Sequence, residues 1–117
     1  MPRSPRAYLA DVIDACDAIA AALRDVELSR YESDRLIRSS VEREFILVGE
    51  ALASLARLNA SLAARISNVR MIVSFRNLLT HDYAAVRDAT VWATAVRDTP
   101  VLRDECQALL DELGEAD

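Results

Sequence analysis

Ile37-Arg38-Ser39-Ser40-Val41-Glu42-Arg43-Glu44-Phe45-Ile46-Leu47-Val48-Gly49-Glu50-Ala51-Leu52 is the stretch whose reading decides the fold. Ile37, Val41, Phe45, Val48 and Leu52, continued by Leu55, recur every three or four positions, the spacing of one helix face. Nothing here shows the two-residue alternation of a half-buried strand. Upstream, Ser29-Arg30-Tyr31-Glu32 has capping-box spacing, which predicts one long helix from there to about Leu58-Asn59. Gly49 lies in its middle, where glycine costs about 1 kcal/mol relative to alanine. A close helix crossing or a nearby partner backbone would account for that cost.

The same period extends in both directions. Ser4-Pro5 offers a capping serine with proline at the first helical position, and Leu9, Val12, Ile13, Cys16, Ile19, Leu23 and Val26 follow as one apolar stripe. A first helix from about Pro5 to Val26 is expected. Downstream, a third helix should begin near Ser61 or Ser67 and turn Val69, Ile72, Val73, Phe75 and Leu79 inward. A break is expected between His81 and Arg87, then a short helix with Val91, Trp92, Ala95 and Val96, closed by Thr99-Pro100. The last helix presents Leu102, Cys106, Leu109 and Leu113 and stops at Gly114. These elements predict an all-α, antiparallel four-helix bundle with a short fifth helix, in one domain spanning residues 1–117.

Composition agrees with that class. Two glycines, three prolines and six aromatics stand against an abundance of alanine, leucine and arginine, all good helix formers. Cys16 and Cys106 fall within apolar stripes without zinc-type spacing, so buried, reduced thiols are expected and no metal site. No apolar run approaches the ~20 residues of a membrane span, and the opening Met1-Pro2-Arg3-Ser4-Pro5-Arg6 lacks a secretory apolar region. A soluble, cytoplasmic protein is the expectation.

Charge is unevenly spread. Residues 57–87 hold Arg57, Arg65, Arg70, Arg76 and Arg87 against Asp82 alone, a balance of +4, whereas the rest of the chain carries −9. General affinity for nucleic acid is therefore unexpected, but a confined anion-binding patch fits. The plain alternative is a basic helix face paired with acidic neighbours. Within this segment lies Arg76-Asn77-Leu78-Leu79-Thr80-His81-Asp82-Tyr83, with the chain's single histidine. It is the only stretch offering a group that titrates near neutral pH beside a cation and a phenol.

Helical geometry complicates the motif. Five residues turn a helix through about 500°, so Arg76 and His81 would point about 140° apart. They share a site only if the helix bends near Thr80 or if a second subunit intervenes. Tyr83, seven residues from Arg76, would return to nearly the same face as long as the helix continues. Glu50 lies close to the apolar stripe and is expected either to face the bundle, pairing with Arg76 or Arg70, or to be solvated. Trp92 reads as core, because it shares a stripe with Ala95 and Val96.

Arg76-Asn77-x3-His81-x-Tyr83, preceded by Val48-Gly49-Glu50-Ala51, resembles the HepT toxins of HEPN/MNT toxin–antitoxin pairs. Tyr8-Leu9-x-Asp11, Ser40-Val41-Glu42-Arg43 and Val91-Trp92 ahead of Pro100 extend the resemblance over nearly the whole chain. Where many relatives carry a tryptophan shortly before the arginine, this chain has Val69-Arg70. The resemblance implies a HEPN-like homodimer acting as a metal-independent endoribonuclease without cofactor, with Arg76 and His81 catalytic and Asn77 and Glu50 supporting. It also implies a partner, a nucleotidyltransferase antitoxin of the MNT kind, which in some systems transfers AMP to the tyrosine of the motif, here Tyr83. One histidine per chain cannot be both base and acid, so the resemblance leads to a site completed by two subunits. The alternative is a non-catalytic helical partner of a nucleotidyltransferase, in which Arg76 and His81 bind phosphate but cleave nothing.

Overall fold

Side-chain caps decide where the helices begin. In the computed structural model, which describes residues 3–114, the Ser4 hydroxyl accepts the Ala7 N–H at 3.2 Å and opens α1 (Pro5–Ala22). The segment expected as one long helix is divided. α2 (Leu28–Ser33) ends at Asp34, whose carboxylate accepts the N–H groups of Leu36 and Ile37 at 3.1 and 3.2 Å and starts α3 (Arg35–Leu58). An aspartate that satisfies two orphan donors makes a new N-terminus more stable than a continuous helix through that point. Ser29, expected as the cap, lies inside α2 instead.

Asn59 caps the single turn α4 (Ala60–Ala63), and α5 (Val69–His81) starts after Asn68, which adopts a left-handed φ of 62°. Both predicted starts of the third helix are thus partly realised, on either side of a turn. A 3₁₀ turn (Tyr83–Ala85), α6 (Asp88–Arg97) and α7 (Thr99–Leu113) complete the chain, and Gly114 caps α7. α1 stops at Ala22, short of the expected Val26, because the chain reverses at Asp25 with φ 58°. Val26 is nonetheless buried, and its carbonyl accepts the Trp92 indole N–H at 3.1 Å.

The four long helices, α1, α3, α5 and α7, form the bundle. α1 lies between α3 and α7, and α3 lies between α1 and α5. Two apolar clusters fill it. Leu9, Val12, Cys16, Val48, Leu52, Ile72, Leu102, Cys106 and Leu109 anchor the larger one. Ile19, Val26, Tyr31, Val41, Phe45, Leu79, Val91 and Ala95 anchor the second, at the end where α5 finishes. The expected stripes are largely the buried ones, although Val96 is exposed. Trp92 is half-buried against the second cluster, as the core reading requires. Burial pushes the thiols of Cys16 and Cys106 up to about 12, and both are free. No helix among the described residues is long and apolar enough to cross a membrane.

The α3–α5 crossing explains Gly49. A Cβ built there would lie 2.3 Å from Arg76 Cβ and 2.7 Å from Arg76 Cγ. Only a residue without a side chain lets the stem of Arg76 cross at this point. Phe45 of α3 meets Phe75 of α5 edge-on at 5.1 Å on the same interface.

Candidate functional site

α5 is helical through His81, so no bend brings Arg76 and His81 together within one chain. Arg76 turns toward α3: its stem lies over Gly49, and its Nε is buried without a protein partner. His81, the last residue of the helix, is exposed. Asn77 is exposed one turn before it, and residues four apart lie on one face. Arg70 and Ser74 continue that face, giving an exposed polar stripe of Arg70, Ser74, Asn77 and His81. The structure therefore groups Asn77 with His81 and sets Arg76 on a different face. Beside the stripe runs an open groove lined by Ala53, Ala56, Ala63, Val69 and Val73, where small side chains leave room for close approach.

Local hydrogen bonds explain why α5 ends here. The Thr80 hydroxyl donates to the Arg76 and Asn77 carbonyls at 3.0 and 3.2 Å, and Asp82 N–H closes the last turn on Leu78. Asp82 then leaves helical geometry at φ −146°, ψ 54°. Tyr83 consequently falls in the 3₁₀ turn and not on the helix, contrary to the expectation that it would share the face of Arg76. Tyr83 is 57% exposed, yet its hydroxyl donates to both carboxylate oxygens of Glu42, at 2.9 and 3.0 Å.

Glu42 is the residue whose role sequence reasoning missed. It is 8% exposed in the middle of α3. Burial holds its carboxyl above the ordinary carboxylate range, and the hydrogen bond from Tyr83 partly opposes that. The same bond holds the Tyr83 phenol above its ordinary value. Arg38, one turn earlier, is engaged with the Glu32 carbonyl at 2.6 Å and with Asp88 at 3.8 Å. The buried Tyr31 hydroxyl has no protein partner, and burial, followed by the nearby Glu42 charge, raises its pKa. The signal was available: Glu42 precedes Gly49 by seven residues, two helical turns, and so faces α5 as Gly49 does.

Of the two positions expected for Glu50, the structure shows the solvated one. It is exposed and lines the groove between α1 and α3 with Tyr8, Asp11, Asp14 and Glu44, and neither Arg76 nor Arg70 forms an ion pair with it. One residue beyond Gly49, it is rotated by about 100° away from the crossing. Of the basic segment, Arg65 pairs with Glu112 at 2.7 Å, so part of the +4 balance is spent on holding α7. Ser67 does likewise, donating to Glu105 through its backbone N–H at 3.1 Å and its hydroxyl at 2.7 Å. Arg57, Arg70 and Arg87 are exposed. Among the described residues, no three His, Cys, Asp or Glu side chains gather so as to hold a metal ion.

A small all-α bundle presenting Arg-x4-His-x-Tyr at an exposed helix end defines a domain of the HEPN class. The family model described as Ribonuclease HepT-like matches residues 12–109, and the chain belongs to that family. It is 27% identical over 109 residues to a Thermococcus cleftensis protein named "Probable ribonuclease HepT", covering 93% of this chain and 98% of that one. Two Methanocaldococcus jannaschii proteins named "Putative RNase" are also similar. One is 24% identical with 97% of each chain covered, and the other 23% identical with 90% of this chain and 95% of the relative covered. No solved structure matches significantly.

Proposed function

We propose that this chain is the RNase toxin of a HEPN/MNT pair, cleaving RNA without a metal at a cleft completed by a second copy of itself. One observation carries the reading: α5 remains helical through the chain's single histidine, so Arg76 and His81 diverge and no chain holds an acid–base pair alone. Two exposed His81 side chains brought together by a two-fold axis supply both groups. The alanine-lined groove beside the Arg70–His81 stripe supports close approach of that second copy.

In this mechanism one His81 takes the proton of the ribose 2′-OH as its oxygen attacks phosphorus. The partner copy's imidazole protonates the departing 5′ oxygen. Arg76 offers guanidinium N–H groups to the phosphorane as negative charge develops. Asn77, on the His81 face, supports the scissile group through its amide. The products are a 2′,3′-cyclic phosphate and a free 5′-OH. Neutralisation falls to a nucleotidyltransferase antitoxin, with Tyr83 as acceptor: its oxygen takes the adenylyl group of ATP, the phenolic proton goes to solvent, and pyrophosphate leaves. The exposed ring of Tyr83 supports that role.

The test is RNA cleavage by the purified protein with and without chelator, with analysis of the 3′ ends. Chelator-resistant cleavage giving cyclic phosphate, absent in His81→Ala, is the expected result. Undiminished cleavage by His81→Ala would overturn the assignment. RNA binding without cleavage would return the chain to the role of a non-catalytic partner. Intact mass after co-expression with an adjacent-gene nucleotidyltransferase tests Tyr83, which should gain one AMP.

A further inference from the structure

A carboxylate buried in the middle of a bundle helix is costly unless something requires it there. Among the described residues Glu42 has no ion pair, and its side-chain hydrogen bonds come from Tyr83. Arg38, one turn earlier on the same face of α3, is committed to Asp88 and the Glu32 carbonyl. Around Tyr83 there is little else to hold the chain: Asp82, Ala84, Ala85 and Arg87 are exposed, and Val86 is only half-buried. Phe75 and, in the last turn, Leu79 secure α5 to within two residues of His81. Beyond them, Val86 packs on the second apolar cluster, and the Tyr83 hydroxyl, two residues from His81, is the side-chain hydrogen bond from this turn to α3 among the described residues.

We infer that Glu42 is a positioning residue for His81, acting through the Tyr83 hydroxyl, and that any group replacing the phenolic hydrogen releases the His81 end of α5. The inference rests on the reading of His81 as the proton-transfer group. Helix ends fray unless they are held, and a bond from a phenol to a buried carboxylate is strong and directional. A phosphate ester on the Tyr83 oxygen removes the donor and sets negative charge against the Glu42 carboxylate, so attraction becomes repulsion. Modification would then silence the site by loosening His81, apart from any blockage of the cleft.

The chain's single imidazole makes the test direct, because its NMR resonance belongs to His81 alone. Tyr83→Phe and Glu42→Leu both break the tie, whereas Glu42→Gln keeps an acceptor oxygen for the phenol. Both breaking variants should shift the His81 resonance alike and lower kcat about tenfold with KM nearly unchanged. The double variant should be no worse than either single, and Glu42→Gln should restore most of the signal and rate. An unmoved resonance in Tyr83→Phe, or effects that add in the double variant, would overturn the inference. If Glu42→Leu does not fold, Tyr83→Phe, altered at an exposed ring, carries the test. Should the wild type cleave no RNA, the RNase reading fails, while the resonance still decides the tie.

Discussion

Replacing Gly49 by alanine puts the α3–α5 crossing under load. The added Cβ would sit 2.3 Å from Arg76 Cβ and 2.7 Å from Cγ, whereas ordinary contacts begin near 3.4 Å. No rotamer relieves the shorter distance, because Cβ is fixed to the backbone. The helices must part by about 1 Å, and the Phe45–Phe75 contact lies on the same interface. Overpacking of this kind costs about 1–3 kcal/mol, and the severe overlap places it in the upper half of that range. Alanine recovers about 1 kcal/mol of helix propensity. Gly49→Ala should therefore be destabilised by about 1–2 kcal/mol, read as a lower urea midpoint at unchanged slope. Arg76→Ala should not rescue it, since the offending Cβ remains, whereas Arg76→Gly should recover part of the loss. RNA cleavage should fall about 10- to 100-fold as Arg76 is displaced. A Gly49→Ala protein as stable as wild type would refute the close-approach reasoning.

Other consequences are simpler. Asp34→Ala removes two capping hydrogen bonds and should cost about 1 kcal/mol in urea unfolding; no loss would mean that α3 starts without its cap. His81→Ala, at an exposed site, should alter stability by less than about 0.5 kcal/mol while cleavage falls at least about 100-fold, so unfolding and activity must dissociate. Burial raises the folded-state pKa of Glu42, so the folded chain binds that proton more tightly than the unfolded one. The associated stability is fully present below the ordinary carboxylate range and is lost as pH rises through the raised value. Relative to Glu42→Gln, the wild type should therefore lose stability as pH rises above the ordinary carboxylate range of about 4. Asp88 adds to the effect of burial while Tyr83 and Arg38 oppose it, so parallel curves would show that Tyr83 and Arg38 cancel the rise.

How far the chain could be read without coordinates depends on what each signal competes with. The apolar stripes of α1, α3, α5 and α7 were legible because burial dictates them residue by residue. The break at Asp34 was hidden because the apolar stripe begins only at Ile37, beyond it, and only a local capping bond interrupts the helix. Ser29-x-x-Glu32 misled for the related reason that capping-box spacing also occurs inside helices. At the site, the divergence of Arg76 and His81 followed from helical angle alone. The position of Tyr83 turned on whether the helix ended two residues before it, finer than sequence signals resolve. Glu42 was passed over in favour of Glu50, which adjoins Gly49 in sequence but not on the helix surface.

Whether one chain carries only half of the site can be measured by mixing. Wild type and His81→Ala are exchanged at equal amounts until dimers form at random, and cleavage is compared with the same total of wild type. If each cleft needs both imidazoles, only wild-type homodimers act and about a quarter of the activity remains. About half remaining would mean that each chain holds a complete site, and the two-subunit account would be contradicted.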